Sequence, residues 1–225
     1  LSGTRVYDGS TNASASDLTT LGNLVSGETL NLSGTGTLAS AAVGSDKSVS
    51  IGTLALSDGS GESDNYTLSG GTLELDVTTR NVTISGSKSY DGNNIVSNSS
   101  ISTFNNLVSG ESLTITGSGT ISSGAVGSNK TISLGTLTLA NGSGSASNYN
   151  LSGGTISVTR RVINLSGSKT YNGTTSITAS DINTFGNIVT GETLSLSGTG
   201  SVSSSAAENN KTLTLGSIAL SDGSG

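Results

Sequence analysis

Residues 82–92 read Val-Thr-Ile-Ser-Gly-Ser-Lys-Ser-Tyr-Asp-Gly, and this stretch decides the fold class. Val82 and Ile84 alternate with polar residues, and the alternation stays in phase as far as Tyr90. Period-two alternation is typical of a half-buried β-strand. The Asp-Gly pair that follows tolerates positive φ and is typical of a turn. A helix is disfavoured, because Gly, Ser, Thr and β-branched residues are middling to poor helix formers. The stretch therefore predicts a strand that ends in a tight turn.

The same stretch occurs three times, so the chain is a tandem repeat. Tyr7, Tyr90 and Tyr171 each open a Tyr-Asp/Asn-Gly triplet, at spacings of 83 and 81 residues. Other residues recur in step with the triplets: Glu28, Glu111 and Glu192; Lys47, Lys130 and Lys211; and Asn65-Tyr66, which returns as Asn148-Tyr149. We predict repeat 1 at 1–80, repeat 2 at 81–160 and repeat 3 at 161–225. The third copy is truncated before its last strand, as expected for a window on a longer array.

Glycines mark places where the alternation slips by one residue. One slip falls at Gly52, Gly135 and Gly216, and a second at Gly70-Gly71 and Gly153-Gly154. A slip would turn the apolar residues of a flat strand toward water, so a bulge or bend is expected at each glycine. Strands that bend between sheets suit a small sandwich. The predicted fold is all-β, with tandem small β-sandwich-like modules in an elongated array. The alternatives are β-grasp-like modules and a continuous β-solenoid, although 81–83 residues is far longer than a solenoid rung.

Composition excludes several classes of chemistry. Ser, Thr and Gly make about half of the 225 residues, and Cys, His, Met, Trp and Pro do not occur. Disulfide frameworks, thiolate or imidazole metal sites and Ser-His or Cys-His nucleophiles are therefore excluded. A net charge of −6 with nine scattered basic residues argues against binding to nucleic acid. No apolar run approaches the ~20 residues of a membrane span, so membrane insertion by this segment is not expected.

The recurring tyrosines and glycines are predicted to be structural. A ligand site is the alternative, since Tyr stacks on sugar rings, but Tyr90 lies in phase with core residues. We expect Tyr66 and Tyr149 to be largely buried, with their hydroxyls bonded to a turn. The residues assigned to core or turn are Tyr7, Tyr90, Tyr171, Tyr66, Tyr149, Gly70, Gly71, Gly153 and Gly154. An exposed row of Tyr or Phe would instead indicate modules that bind a matrix polysaccharide.

The recurring carboxylates do not form a catalytic pattern. Glycosidic or phosphoryl chemistry usually needs a second carboxylate or a metal, and no second acid recurs in all three copies. The chain is therefore predicted not to be an enzyme and to need no cofactor. Candidate ion pairs join the recurring acids to the recurring bases: Glu28, Glu111 and Glu192 with Lys47, Lys130 and Lys211.

One loop resembles a calcium site. Residues 58–64 carry oxygen side chains at alternate positions, beginning at Asp58 and ending at Asp64. The matching loop of repeat 2, residues 141–147, has no carboxylate. If the fold required a metal, both repeats would keep its carboxylate ligands. A structural metal is therefore not predicted, and weak calcium binding in repeat 1 stays an open alternative.

Four segments of repeat 2 resemble the YDG repeat, a relative of the glycine-rich MBG repeats. They are Tyr-Asp-Gly at 90–92, Leu-Val-Ser-Gly-Glu at 107–111, Ala-Val-Gly-Ser-Asn-Lys at 125–130 and Asn-Tyr-Asn-Leu-Ser-Gly-Gly-Thr at 148–155. The resemblance covers essentially the whole chain, with Asn172 and Ala207-Glu208 as mild departures in repeat 3. It implies a large secreted bacterial adhesin of the filamentous-haemagglutinin type, exported by two-partner secretion.

The resemblance also implies a role and a place. The repeats are expected to form a stalk that projects an adhesive domain at the cell surface or in the biofilm matrix. Their partners would be the neighbouring repeats of the same chain. The alternative is that the modules themselves bind exopolysaccharide or another adhesin copy.

Overall fold

The computed structural model describes residues 1–69 and 73–223, and this part of the chain is nearly all β. It holds 22 strands and five 3-10 turns of three residues each, with no longer helix among the described residues. The all-β prediction is confirmed. The 3-10 turns are Ala15–Asp17, Ser63–Asn65, Asn98–Ser100, Ala146–Asn148 and Ala179–Asp181.

Repeat 1 is built around a five-stranded sheet in the order β1-β7-β5-β4-β2, and β3 pairs with β6. Its strands are β1 (Ser2–Val6), β2 (Asn12–Ser14), β3 (Leu30–Ser33), β4 (Thr35–Leu38), β5 (Gly44–Ser50), β6 (Ala55–Asp58) and β7 (Glu74–Thr78). The last strand of the repeat lies inside the sheet, parallel to β1 and antiparallel to β5. Alternate residues of β7 face the core, where Leu75 and Val77 are 0% and 2% exposed.

Repeat 2 repeats this plan. Its strands are β8 (Arg80–Ser89), β9 (Ile95–Ser97), β10 (Ile101–Asn105), β11 (Leu113–Thr116), β12 (Ser118–Thr120), β13 (Gly127–Thr131), β14 (Thr138–Asn141) and β15 (Tyr149–Thr159). The main sheet has the order β10-β8-β15-β13, so the last strand again lies between two others. Two further pairs are β11-β14 and β12-β9.

Repeat 3 has seven strands among the described residues, and the last of them lies at the position of β14. They are β16 (Asn164–Gly167), β17 (Ser176–Thr178), β18 (Ile182–Gly186), β19 (Leu194–Ser197), β20 (Thr199–Val202), β21 (Leu213–Thr214) and β22 (Ala219–Asp222). The described strands group as β16-β18, β17-β20-β21 and β19-β22.

The two slips of phase have different structures. The first is a turn: Gly52 has φ +56°, and the Leu54 N–H donates to the Ile51 carbonyl at 3.0 Å. Before this turn β5 pairs with β4, and after it β6 pairs with β3, so the chain changes sheets there. The second lies inside β15, where Gly153 has φ +145° and the strand continues without a break. The corresponding Gly70 and Gly71 lie outside the described residues.

The chain divides into two compact units. Unit 1 comprises Leu1–Ser87, Ile95–Ser122 and Asn129–Ser157, and unit 2 comprises Lys88–Asn94, Ser123–Ser128 and Val158–Gly225. Unit 1 has a core shared by two repeats, because Tyr7 of repeat 1 and Tyr149 of repeat 2 belong to one buried cluster. The boundaries of the three repeats stay a prediction from the sequence.

Candidate functional site: the contact between consecutive repeats

The tyrosine of the first triplet bonds to the glutamate of the next repeat. The Tyr7 hydroxyl donates to Glu111 Oε1 at 2.5 Å, across 104 residues of chain, and the Tyr7 side chain is 5% exposed. Both residues belong to unit 1. A hydrogen bond to a charged carboxylate is among the stronger ones in proteins, so this contact stabilises the pairing of repeat 1 with repeat 2.

The same glutamate also binds the tyrosine of its own repeat. The Tyr149 hydroxyl donates to Glu111 Oε2 at 2.5 Å and accepts the Val108 N–H at 3.1 Å. The rings of Tyr7 and Tyr149 meet edge to face, with their centroids 5.4 Å apart. One carboxylate thus holds two buried phenols, one from each repeat.

Unit 2 contains the contact a second time. Tyr90 of repeat 2 donates its hydroxyl to Glu192 Oε1 of repeat 3. Within repeat 1, Tyr66 donates to Glu28 Oε2 at 2.5 Å, as Tyr149 does to Glu111 in repeat 2. The Tyr90 side chain is half-buried, and that of Tyr171, the third triplet tyrosine, is 67% exposed.

The glycine of the triplet packs against the valine that lies three residues before this glutamate. A Cβ added at Gly9 would lie 2.8 Å from Val108 Cγ1, and one added at Gly92 would lie 2.8 Å from Val189 Cγ1. Both glycines have positive φ, +77° and +78°, so the turn and the close approach each require glycine. At Gly173, with the same backbone at φ +76°, a Cβ would meet nothing within 4 Å.

The middle residue of the triplet shapes the turn. Asp8 Oδ1 accepts the Ser10 N–H at 2.9 Å, and Asn172 Oδ1 accepts the Thr174 N–H at 3.1 Å. Either Asp or Asn can make this side-chain turn, which explains the Asn variant in repeat 3. The basic residue two before each tyrosine holds the same turn: Lys88 Nζ lies 2.7 Å from Asp91 Oδ1, and Lys169 donates to the Thr174 carbonyl at 2.9 Å.

An arginine and an asparagine complete each contact, and the sequence reasoning missed both. Arg80 donates to Asn106 Oδ1 at 2.8 Å and to the Tyr7 carbonyl at 3.4 Å. In unit 2, Arg161 donates to Asn187 Oδ1 and to the Tyr90 carbonyl at 2.7 and 3.3 Å. The signal that could have found them is their spacing, since Arg80 and Asn106 both recur 81 residues on.

Asn148 adds one more contact between repeats 1 and 2. Its side-chain oxygen accepts the Val43 N–H at 3.0 Å, and the residue is 5% exposed. Its counterpart in repeat 1, Asn65, is exposed. The recurring Asn-Tyr pair thus contributes both its residues to the contact in unit 1.

The structure gives the three recurring glutamates, and two of the three recurring lysines, partners other than those of the predicted Glu–Lys ion pairs. Glu28, Glu111 and Glu192 accept tyrosine hydroxyls instead. Lys47 donates to the Ser40 carbonyl at 2.8 Å and Lys211 to the Ser204 carbonyl at 2.7 Å, where each ammonium closes a turn in its own repeat. Lys130 also has a partner in the structure. A buried phenol needs a hydrogen-bond partner, and the nearby carboxylate supplies it.

In the loop that resembles a calcium site, the first carboxylate accepts hydrogen bonds from the loop itself. Asp58 Oδ1 accepts the Ser63 N–H at 2.7 Å and the Ser63 hydroxyl at 2.6 Å, and these bonds lower the pKa of Asp58. In repeat 2, Asn141 Oδ1 accepts the Ala146 N–H at 2.8 Å. A neutral amide replaces the carboxylate in this turn, so the charge is not needed to form it. Among the described residues, no three Asp or Glu side chains are grouped to hold a metal ion.

Burial and the carboxylates keep the phenols protonated. Burial, together with the bond to Glu111, raises the pKa of Tyr149 to about 12 and raises that of Tyr7 as well. The bond to Glu192 raises the pKa of Tyr90. The hydroxyls are therefore donors at any physiological pH.

Comparison with known families gives a match to each of the first two repeats. The YDG domain matches residues 1–73 and 75–158. The chain belongs to the YDG domain family. The matched regions cover the first two YDG repeats and contain both partners of the Tyr7–Glu111 contact. A search of curated proteins and a search of solved structures each returned no match. Among the described residues no helix is long and apolar enough to cross a bilayer.

Proposed function

We propose that this YDG chain is a stalk segment of a secreted bacterial adhesin, exported by two-partner secretion to the cell surface or biofilm matrix. In this role the repeats are spacers that project an adhesive domain, and they have no catalytic activity. The observation that carries the proposal is the Tyr–Glu contact, which occurs as Tyr7–Glu111 and again as Tyr90–Glu192. Residues at the same positions of the repeat form hydrogen bonds to the next repeat. A stalk requires such contacts between neighbouring repeats.

The burial of Tyr7 and Tyr149 supports a spacer over a binder. A polysaccharide-binding platform needs exposed rings on successive repeats, whereas Tyr7 and Tyr149 are 5% and 6% exposed. Both hydroxyls donate hydrogen bonds to Glu111. The exposed strand faces are instead rich in Ser and Thr, and low charge density limits non-specific attraction to other macromolecules.

Small-angle scattering tests the proposal directly. A spacer should give a radius of gyration well above the ~17 Å expected for a compact domain of 225 residues. The purified chain should also show no saturable binding to exopolysaccharide. A radius near the compact value would reject the stalk. Binding that is lost in Tyr171→Ala, with unchanged thermal unfolding, would favour the alternative in which the modules are the adhesive part.

A further inference from the structure

The chain contains two Asn-Gly pairs, Asn141-Gly142 and Asn172-Gly173. Both stand where other repeats carry Asp-Gly, at positions 58–59 and 222–223 for the first pair and 8–9 and 91–92 for the second. An asparagine side chain before glycine is open to attack by the next backbone nitrogen, because glycine has no Cβ to obstruct the approach. The reaction produces aspartate, the residue that the same position holds elsewhere in the chain. Each pair is therefore a candidate for spontaneous modification.

The side-chain amide of Asn172 has two donors on its oxygen. Asn172 Oδ1 accepts the Thr174 N–H at 3.1 Å and the Thr174 hydroxyl at 2.9 Å. Attack on Cγ places negative charge on this oxygen, and donors that are already in position stabilise such charge. Lys169 donates to the same hydroxyl oxygen at 3.0 Å, so a cation strengthens the hydroxyl as a donor. One turn thus supplies an oxyanion hole for attack on Asn172.

The attacking nitrogen belongs to Gly173. Among the described residues no acceptor is found for the Gly173 N–H, and both Asn172 and Gly173 are exposed to water. This position is also open to water where another repeat follows, since the side chains of Asp8 and Asp91 are 46% and 38% exposed. Access of water is therefore a property of the triplet turn itself.

The other Asn-Gly pair lacks both features. In the described part of the chain, Asn141 Oδ1 accepts one hydrogen bond, from the Ala146 N–H at 2.8 Å, and alanine has no hydroxyl to add a second. The Gly142 N–H donates to the Gly144 carbonyl at 3.1 Å, and this bond must break before the nitrogen can attack. Asn141 is exposed, as Asn172 is, so access of water does not distinguish the two pairs.

We propose that Asn172-Gly173 is a self-modification site, where the folded turn promotes deamidation of the asparagine. The Gly173 nitrogen bonds to Asn172 Cγ and loses its proton to water. The bond from Cγ to Nδ2 breaks, and the side-chain nitrogen leaves as ammonia. Water then opens the resulting succinimide at either carbonyl, which leaves aspartate or isoaspartate at position 172. The net reaction consumes one water, releases one ammonia and needs no oxidant or cofactor.

The aspartate product completes the third triplet. It gives position 172 the carboxylate of a Tyr-Asp-Gly sequence, in the turn that Lys169 closes. In the matching turn of repeat 2, Lys88 Nζ lies 2.7 Å from Asp91 Oδ1. Deamidation should therefore add the same ion pair to repeat 3. The isoaspartate product instead adds one carbon to the main chain within the turn, so it should disturb the turn.

Peptide mapping by mass spectrometry tests the site on the full 225-residue chain. The chain is incubated in mildly alkaline buffer, and deamidation is followed at both pairs over time. Asn172 should react roughly tenfold faster than Asn141 or more, because one extra donor and one unbonded N–H are each worth about two- to tenfold. In concentrated urea the two rates should converge, since the advantage of Asn172 depends on the folded turn.

A matched pair of variants tests the donor. Thr174→Val removes the hydroxyl but keeps the backbone N–H, and it should slow deamidation of Asn172 by about two- to tenfold. Thr175→Val is the control, because among the described residues no hydrogen bond is found for the Thr175 hydroxyl, and it should leave the rate unchanged. Three outcomes would overturn the proposal: equal rates at the two pairs in the folded chain, a difference that persists in urea, or an unchanged rate in Thr174→Val.

Discussion

Asn148 and Asn65 occupy the same position in consecutive repeats but have different surroundings. Asn148 is buried and accepts the Val43 N–H, whereas Asn65 is exposed. We expect Asn148→Ala to lower the free energy of unfolding by about 1–3 kcal/mol, because it leaves a part-buried N–H without a partner. Asn65→Ala, the matched control, should stay within about 0.5 kcal/mol of the wild type. Urea unfolding of both variants measures the difference, and equal effects would contradict the role given to Asn148.

The raised pKa of Tyr149 makes stability depend on alkaline pH. Its pKa is about 12 in the folded chain and near 10 in the unfolded one, so the folded state holds the proton more tightly. The contribution is fully present below pH ~10 and is lost as the pH rises toward 12. Thermal unfolding between pH 9 and 11.5 should show a steeper loss of stability in the wild type than in Tyr149→Phe. Parallel curves would show that Tyr149 does not retain its proton through Glu111.

At the scale of single elements, the triplet turn offers a matched pair of glycines. Gly92 and Gly173 have φ of +78° and +76°, but only Gly92 has a neighbour, Val189, in the space of a Cβ. Alanine at either position adds the same positive-φ strain, of order 1 kcal/mol. Gly92→Ala must also displace Val189, so its loss of stability should be larger by at least about 1 kcal/mol. Thermal unfolding of the two variants gives this difference directly, and equal losses would mean that the turn does not pack against the valine.

The strands and turns were largely predictable from local sequence. Alternation around Val82 and Ile84 predicts β8, and the Asp-Gly pair after Tyr90 predicts the turn, because both patterns depend on neighbouring residues. The slip at Gly52 was also located correctly, although its form is a turn between sheets. Local periodicity does not determine which sheet the chain enters next, since that depends on strands far away in sequence.

The partners of the recurring side chains could not be predicted in this way. Glu111 recurs with Lys130 at a fixed spacing, and the sequence favoured an ion pair between opposite charges. The structure places Tyr7 and Tyr149 on that carboxylate, one of them 104 residues away. A single sequence shows which positions recur, but it does not show which of them contact one another, because all the recurring positions share the same spacing.

At the scale of the molecule, repeats 1 and 2 share a core, so a change in one should reach the other. If the repeats were independent modules, Tyr149→Ala would unfold repeat 2 and leave its neighbours folded. Tyr149 lies in one buried cluster with Leu75 and Val77 of repeat 1. We expect Tyr149→Ala to cost about 3–5 kcal/mol and to destabilise both repeats. Limited proteolysis should then cleave within β7 as well as β15, and cleavage confined to repeat 2 would restore the independent-module picture.

The central claim is that the Tyr7–Glu111 bond couples consecutive repeats, and native-state hydrogen exchange tests it most directly. Tyr7→Phe removes one hydroxyl from repeat 1, and the amides to follow are Leu113 and Ile115 of β11 in repeat 2. Loss of a hydrogen bond to a charged group, about 1.5–3 kcal/mol, should speed their exchange roughly tenfold or more. Tyr66→Phe is the control. Among the described residues the Tyr66 hydroxyl bonds to Glu28 and Val25 of its own repeat, so its loss should leave β11 unchanged. If Tyr7→Phe speeds exchange in repeat 1 alone, the repeats are not coupled through this bond.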